Sequence, residues 1–211
     1  MEVKMKETKK MNAYQLCFLA MAVGINLVGG QIALALRLPV YLDSIGTILA
    51  GAVLGPWLGM LPNLLSGIIM GMTVDVYSLY FAPVGMITGM MSGLFFGRHS
   101  MKAGISRAGR GSRLFLTAAG ITIPGTAVSS LINALLFGGV TSSGSMLLVQ
   151  LLARTPLGLT GSIFAVQILT DYADRCISVF AVSVFVSLMG SELRLRLKGG
   201  VGNNGTLQQD H

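Results

Sequence analysis

The stretch IGTILAGAVLGPWLGMLPNLLSGIIMGM, Ile45 to Met72, decides how this chain is threaded. A membrane span needs about twenty apolar residues at helical rise, so the run is long enough to cross once. Its centre, however, holds Gly55, Pro56 and Trp57. Proline removes a backbone donor and glycine weakens a helix on either side, so the run also reads as two short helices meeting at a turn. One crossing and a hairpin leave the following chain on opposite sides.

The basic residues choose between them. Twelve of the fifteen Lys and Arg residues fall in three clusters, Lys4 to Lys10, Arg98 to Arg113 and Arg194 to Lys198. Such charges resist translocation, so the clusters belong on one cytoplasmic side with an even number of crossings between each pair. A single crossing at Ile45 to Met72 would export the second cluster; the hairpin keeps it inside. Short limbs of this kind are tolerated where protein packs around the turn. The same argument applies to Met146 to Leu169, which as a full crossing would export the third cluster and put Arg154 in lipid. It reads as a helical external or re-entrant segment interrupted at Pro156 and Gly158.

The expected protein is therefore an all-α integral membrane protein, a six-helix transmembrane bundle with both termini cytoplasmic. Its helices run over about 13–36, 44–55, 57–72, 80–97, 114–139 and 171–197. Residues 1–12 form a basic cytoplasmic segment, residues 13–198 the bundle, and residues 199–211 a Gly, Asn and Gln-rich disordered tail with no fused output domain. Hydrophobic residues make up 53% of the chain and charged residues 11%, more apolar surface than a soluble core absorbs. The net charge of +7 follows from the inner clusters, so nucleic acid is not an expected partner, whereas the lipid bilayer is. The first apolar run, Ala13 to Leu36, exceeds a signal-peptide core and is read as a retained span.

Glycines recur every four residues at Gly51, Gly55 and Gly59, at Gly67 and Gly71, and at Gly85, Gly89, Gly93 and Gly97. Residues four apart share a helix face, and small side chains there let backbones approach closely in lipid. The spacing fits a fixed seam within the chain or a face that slides on a partner; Ala20 and Gly24 offer the first helix a similar face.

Polar groups gather in the three external connections: Arg37, Tyr41 and Asp43, then Asp75, Tyr77 and Tyr80, then Gln150, Arg154, Gln167, Asp171, Tyr172, Asp174 and Arg175. Ionisable groups near hydrocarbon are costly and line cavities, so a pocket opening outward is expected. The candidate ligand-binding residues are Asp43, Trp57, Asn63, Asp75, Tyr77, Tyr80, Asn133, Arg154 and Asp171. Trp57 fits a pocket wall or an interfacial anchor, and Asp174 with Arg175 fits an anchor for the start of the last helix. The mixed charge permits a zwitterion, an aromatic heterocycle or an amide.

Catalytic signatures are missing. The sequence has no His-Glu-x-x-His, no Gly-x-Ser-x-Gly and no Gly-x-x-x-x-Gly-Lys phosphate loop. Cys17 and Cys176 lie in apolar runs without partners for a disulfide or a metal site. No enzyme activity, cofactor or metal is expected. The functional readings are a binding and translocation subunit or, alternatively, a small-molecule membrane receptor domain signalling to a separate partner.

LPVYLDSIGT at 38–47 followed by GPWLG at 55–59 resembles the substrate-binding S components of energy-coupling-factor transporters. Further similarity lies in FAPV at 81–84, LFGGV at 136–140 and DRCISV at 174–179, in order over most of 13–195. The resemblance implies a six-helix protein of the bacterial cytoplasmic membrane that captures a vitamin or related micronutrient from outside. Its partners would be a membrane coupling (T) subunit and two ATPase subunits, on which it topples to release ligand inward. In that family an Ala-x-x-x-Ala pattern on the first helix marks the docking face; here Ala20 and Gly24 stand in its place.

Overall fold

The computed structural model describes residues 11–98, 107–138, 140, 142 and 144–197, all helix and connecting loop without strands. The expected basic N-terminal segment, apart from Met11 and Asn12, and the expected tail lie outside the described residues. The helices are α1 (Ala13–Ala35), α2 (Ile45–Leu54), α3 (Pro56–Gly59), α4 (Leu61–Thr73), α5 (Val76–Arg98), α6 (Arg107–Ile132), α7 (Ser145–Leu152), α8 (Gly158–Leu188) and α9 (Ser191–Leu197). A π-helical turn, Asn133–Phe137, extends α6 and stops at Gly138, whose left-handed φ of 54° suits glycine.

The run at 45–72 breaks at the expected place. Gly55 takes φ 93°, a conformation that side chains disfavour, and Pro56 opens α3 where its missing N–H costs nothing. Beyond the break the chain turns back. Ala22 of α1 meets Gly46 near the start of α2 and Leu19 packs with Ala50, whereas Met70 near the end of α4 returns to Gly30. The ten residues of α2 rise only about 15 Å. Seven of them are buried among α1, α4, α5 and α8, so the short limb sees protein rather than solvent or lipid.

The glycine ladder is an internal seam. A methyl on Gly89 would overlap the Gly59 carbonyl, one on Gly93 would meet Pro56, and one on Gly51 would meet Ser92 and Gly89. The α2–α3–α4 hairpin and α5 thus touch backbone to backbone, the close approach that small residues allow.

The described ends of the bundle collect on one side. Phe18 of α1, Val53 of α2, Ala118 and Ile121 of α6, Val182 of α8 and Leu197 of α9 share one core, against which Phe95, Phe96 and Leu114 pack. Gln15 Nε2 donates to the Leu197 carbonyl at 2.8 Å, tying the start of α1 to the end of α9.

Three helical segments are long and apolar enough to cross a membrane: Ala13–Ala35, Val76–Phe96 and Leu114–Phe137. The burial pattern is inverted relative to a water-soluble bundle. Leu116, Ile123 and Leu131 of α6 and Phe180 and Leu188 of α8 are exposed, while Asn26, Thr88, Ser92, Ser130 and Asp174 are buried. Apolar residues outside and polar residues inside suit a hydrocarbon surround.

The last helices differ from expectation. α7 ends at Leu152 and a turn holds Pro156, as the interruption requires, but α8 already begins at Gly158 (φ 65°) and ends at Leu188. The expected boundaries 171–197 therefore shift: residues 158–169, assigned to the external segment, belong to α8, and residues 191–197 form the separate α9. The charge content at 171–175 hides this continuity, because those side chains are satisfied by neighbours rather than exposed at a helix start.

Candidate functional site

The site begins with a loop that dips into the bundle. Residues 36–44 join α1 to α2, and Leu42 within them takes a left-handed φ of 51°, uncommon for a residue with a side chain. Two features hold it there. Gly29 has no side chain to obstruct the Leu42 carbonyl, and the Leu42 amide donates to Asp174 Oδ1 of α8 at 2.8 Å. Asp174 Oδ2 also accepts from Ser44 Oγ at 3.0 Å and pairs with Arg175, which donates to Ser44 Oγ as well. Asp174 and Arg175 thus sit mid-helix and clamp the loop, instead of anchoring a helix start. Asn26 of α1 completes the clamp: its Oδ1 accepts from the Gly46 and Thr47 amides at 2.8 and 3.3 Å, and its Nδ2 donates to Thr47 Oγ1 at 2.7 Å. A side chain from another helix therefore caps the two orphan donors at the start of α2.

Beneath this loop lies a cavity of about 550 Å³ counting its open mouth. It is walled by α1, the 36–44 loop, α4 and the start of α5, and Ser142 closes part of the rim. A second chamber of about 360 Å³ continues toward α6 and α8, and the two share Tyr41, Asp43, Asn63 and Phe81. The rim is tied together by Ser142 Oγ donating to Asp75 Oδ2 at 2.8 Å and the Gly144 amide donating to the Leu38 carbonyl at 3.2 Å.

Four of the nine candidate ligand residues line these chambers: Asp43, Asn63, Asp75 and Asp171. Asp75 accepts from Ser78, Ser142 and the Tyr77 amide; Asp171 accepts from Thr126, Ser129 and Gln167. The Asp43 carboxylate receives no hydrogen bond from another described residue, although its backbone carbonyl accepts from Asn63 Nδ2. Burial raises its pKa to about 6, Asp174 pushes in the same direction and Arg175 partly offsets both. Asn63 reaches the cavity because Gly85 has no side chain; a methyl there would overlap its amide.

The other five lie elsewhere. Tyr77 and Tyr80 pack edge-on against Phe137, at ring separations of 4.8 and 5.4 Å, and support the wall from behind. Asn133 is buried and donates to Gln167 Oε1 at 3.4 Å, one layer from the chamber. Arg154 is exposed in the turn after α7, and Trp57 is 79% exposed at the hairpin turn, outside the cavity lining. Sequence reasoning missed Asn26, Ser129 and Phe81, and left Tyr41, Gln167 and Arg175 among the external polar groups. A polar residue inside an apolar run was the available signal for Asn26.

Gly24 points away from all of this. A methyl there meets nothing within 4 Å, and the residue lines an apolar surface groove with Met21, Ile25, Val28 and Ile32; Ala20, one turn away, is exposed. Among the described residues no three His, Cys, Asp or Glu side chains converge as metal ligands. No protein-family model, curated protein or solved structure matches this chain.

Proposed function

We propose that this chain is the substrate-capture subunit of an energy-coupling-factor importer, binding a vitamin or related micronutrient and delivering it inward. In this reading α1, α2, α3 with α4, α5, α6 and α8 make six crossings of the bacterial cytoplasmic membrane, with both termini cytoplasmic. The observation that carries it is the two-chambered cavity of mixed polar and apolar lining at the end of the bundle opposite the gathered helix ends. All three outer connections contribute to its walls or their support, which suits capture from outside. The resemblance at 38–47 and 55–59 falls on the cavity loop and the hairpin turn, and supports the same assignment.

The subunit itself performs no chemistry, so inward delivery draws on a membrane coupling subunit and two ATPases. The open face at Ala20 and Gly24 supports a docking role for α1, because Ala20 is exposed and no described residue lies against Gly24.

Native mass spectrometry of the protein gently extracted from its own host tests this. Two ATPases and a membrane coupling protein are expected, together with ligand uptake that requires ATP hydrolysis. Reproducible isolation with a kinase or other signalling partner, and binding without flux, would overturn the transporter reading in favour of a receptor.

A further inference from the structure

The chemistry where the two chambers meet narrows the ligand. Four residues belong to both: the carboxylate Asp43, the amide Asn63 and the rings of Tyr41 and Phe81. Asn63 is 6% exposed, donates through Nδ2 to the Asp43 carbonyl at 3.2 Å, and has no donor for Oδ1 among the described residues. The Asp43 carboxylate likewise has no donor among the described residues. Two unfilled acceptors and two aromatic rings therefore converge where a ligand group would sit.

The surrounding charge has the same sign. Asp43, Asp75 and Asp171 line the chambers against the single guanidinium of Arg175, which is already held by Asp174 and Ser44. Carboxylates in such excess favour any arriving positive charge, and a cation over an aromatic ring gains further attraction. A hydrogen-bond donor on the ligand would also find an acceptor in Asn63 Oδ1, for which no described residue supplies a donor.

We infer that the cavity recognises a cationic ligand, one whose ammonium or amidinium-type group docks between Asp43, Asn63, Tyr41 and Phe81. This rests on the small-molecule capture reading and specifies its substrate class. Protonation of Asp43 competes with the cation. Since its pKa is about 6, apparent affinity falls as pH drops below that value, approaching about tenfold per pH unit.

The test uses the full chain alone in lipid nanodiscs with three matched probes: phenethylammonium, uncharged phenethyl alcohol and anionic 3-phenylpropionate. Binding is read by isothermal titration. Saturable binding of phenethylammonium alone is expected, with Asp43→Asn weakening it by about 10- to 100-fold, the range of one charge-assisted contact. Should Asp43→Asn fail to fold, the pH profile of the wild-type protein carries the same test. Equal binding of the alcohol or the anion, no binding of the ammonium, or a flat pH profile would overturn the inference. None of these readouts involves ATPases or flux, so the charge class can fail while the transporter reading stands, and the reverse.

Discussion

Replacing Asn26 by alanine tests whether a side chain of α1 holds the cavity loop. In the native fold the Gly46 and Thr47 amides occupy the first turn of α2, where no helical carbonyl is available, and Asn26 Oδ1 is their acceptor. The Ser44 hydroxyl does not take this role: it donates to Asp174 and accepts from Arg175, and makes no hydrogen bond to the first turn of α2. Asn26→Ala thus removes three hydrogen bonds and orphans two donors in a buried layer. An unsatisfied buried group costs about 1 to 3 kcal/mol, and water reaching Asn26 from the cavity relieves part of this, so a loss of about 2 to 4 kcal/mol is expected. For a chain of this size that corresponds to a drop of about 4 to 15 °C in Tm. The assay is thermal unfolding in detergent followed by the fraction eluting as folded protein on size exclusion. Asn26→Asp, which keeps an oxygen acceptor but buries a charge and loses the donor to Thr47, should also destabilise. A melting point unchanged in Asn26→Ala would refute the capping role, and with it the account of how the loop is held.

Other outcomes follow from the packing and the charges. Gly24→Leu should leave folding and ligand binding intact, since the position faces open space, yet abolish uptake by blocking close docking; normal transport would remove this face from the mechanism. Gly89→Ala should sharply reduce the yield of folded protein, because the new methyl meets the Gly59 backbone, which cannot move as a side chain tip can; ordinary yield and melting would contradict the seam. Asp43 has a folded pKa near 6 against 3.8 when unperturbed, so its neutral form is favoured by folding. Its stabilising contribution is present below about pH 4 and lost as pH rises through 6, at most about 3 kcal/mol. Asp43→Asn should flatten that part of the stability profile, and an unaltered slope between pH 4 and 6 would exclude Asp43 as its source.

Much of the architecture is legible locally. Gly55 and Pro56 break a helix wherever they occur, since one tolerates a positive φ and the other lacks a donor, and the turn lies where they stand. The apolar runs announce helices long and apolar enough to cross a membrane, and glycines at four-residue spacing announce a close seam because the period is a property of the helix itself. Whether that seam was internal or faced a partner depended on which backbone lay opposite, and the sequence carried no such distance.

The site was legible in part for the same reason. Asp43, Asn63, Asp75 and Asp171 could be singled out as polar groups in poorly hydrated surroundings, and the fold brings all four to one cavity. Arg154 and Trp57 met the same criterion and lie outside it, because composition along the chain does not say which side of a helix or turn faces inward.

By itself, then, the sequence determined the helical class and the hairpin break, both of which arise from residue chemistry acting within a turn or two. Only the tertiary structure decided that α8 begins at Gly158, that Asn26 caps a helix twenty residues on, and that Asp174 and Arg175 serve as a clamp. Those outcomes depend on partners far apart along the chain, and a buried polar group is stable only where folding supplies its partner.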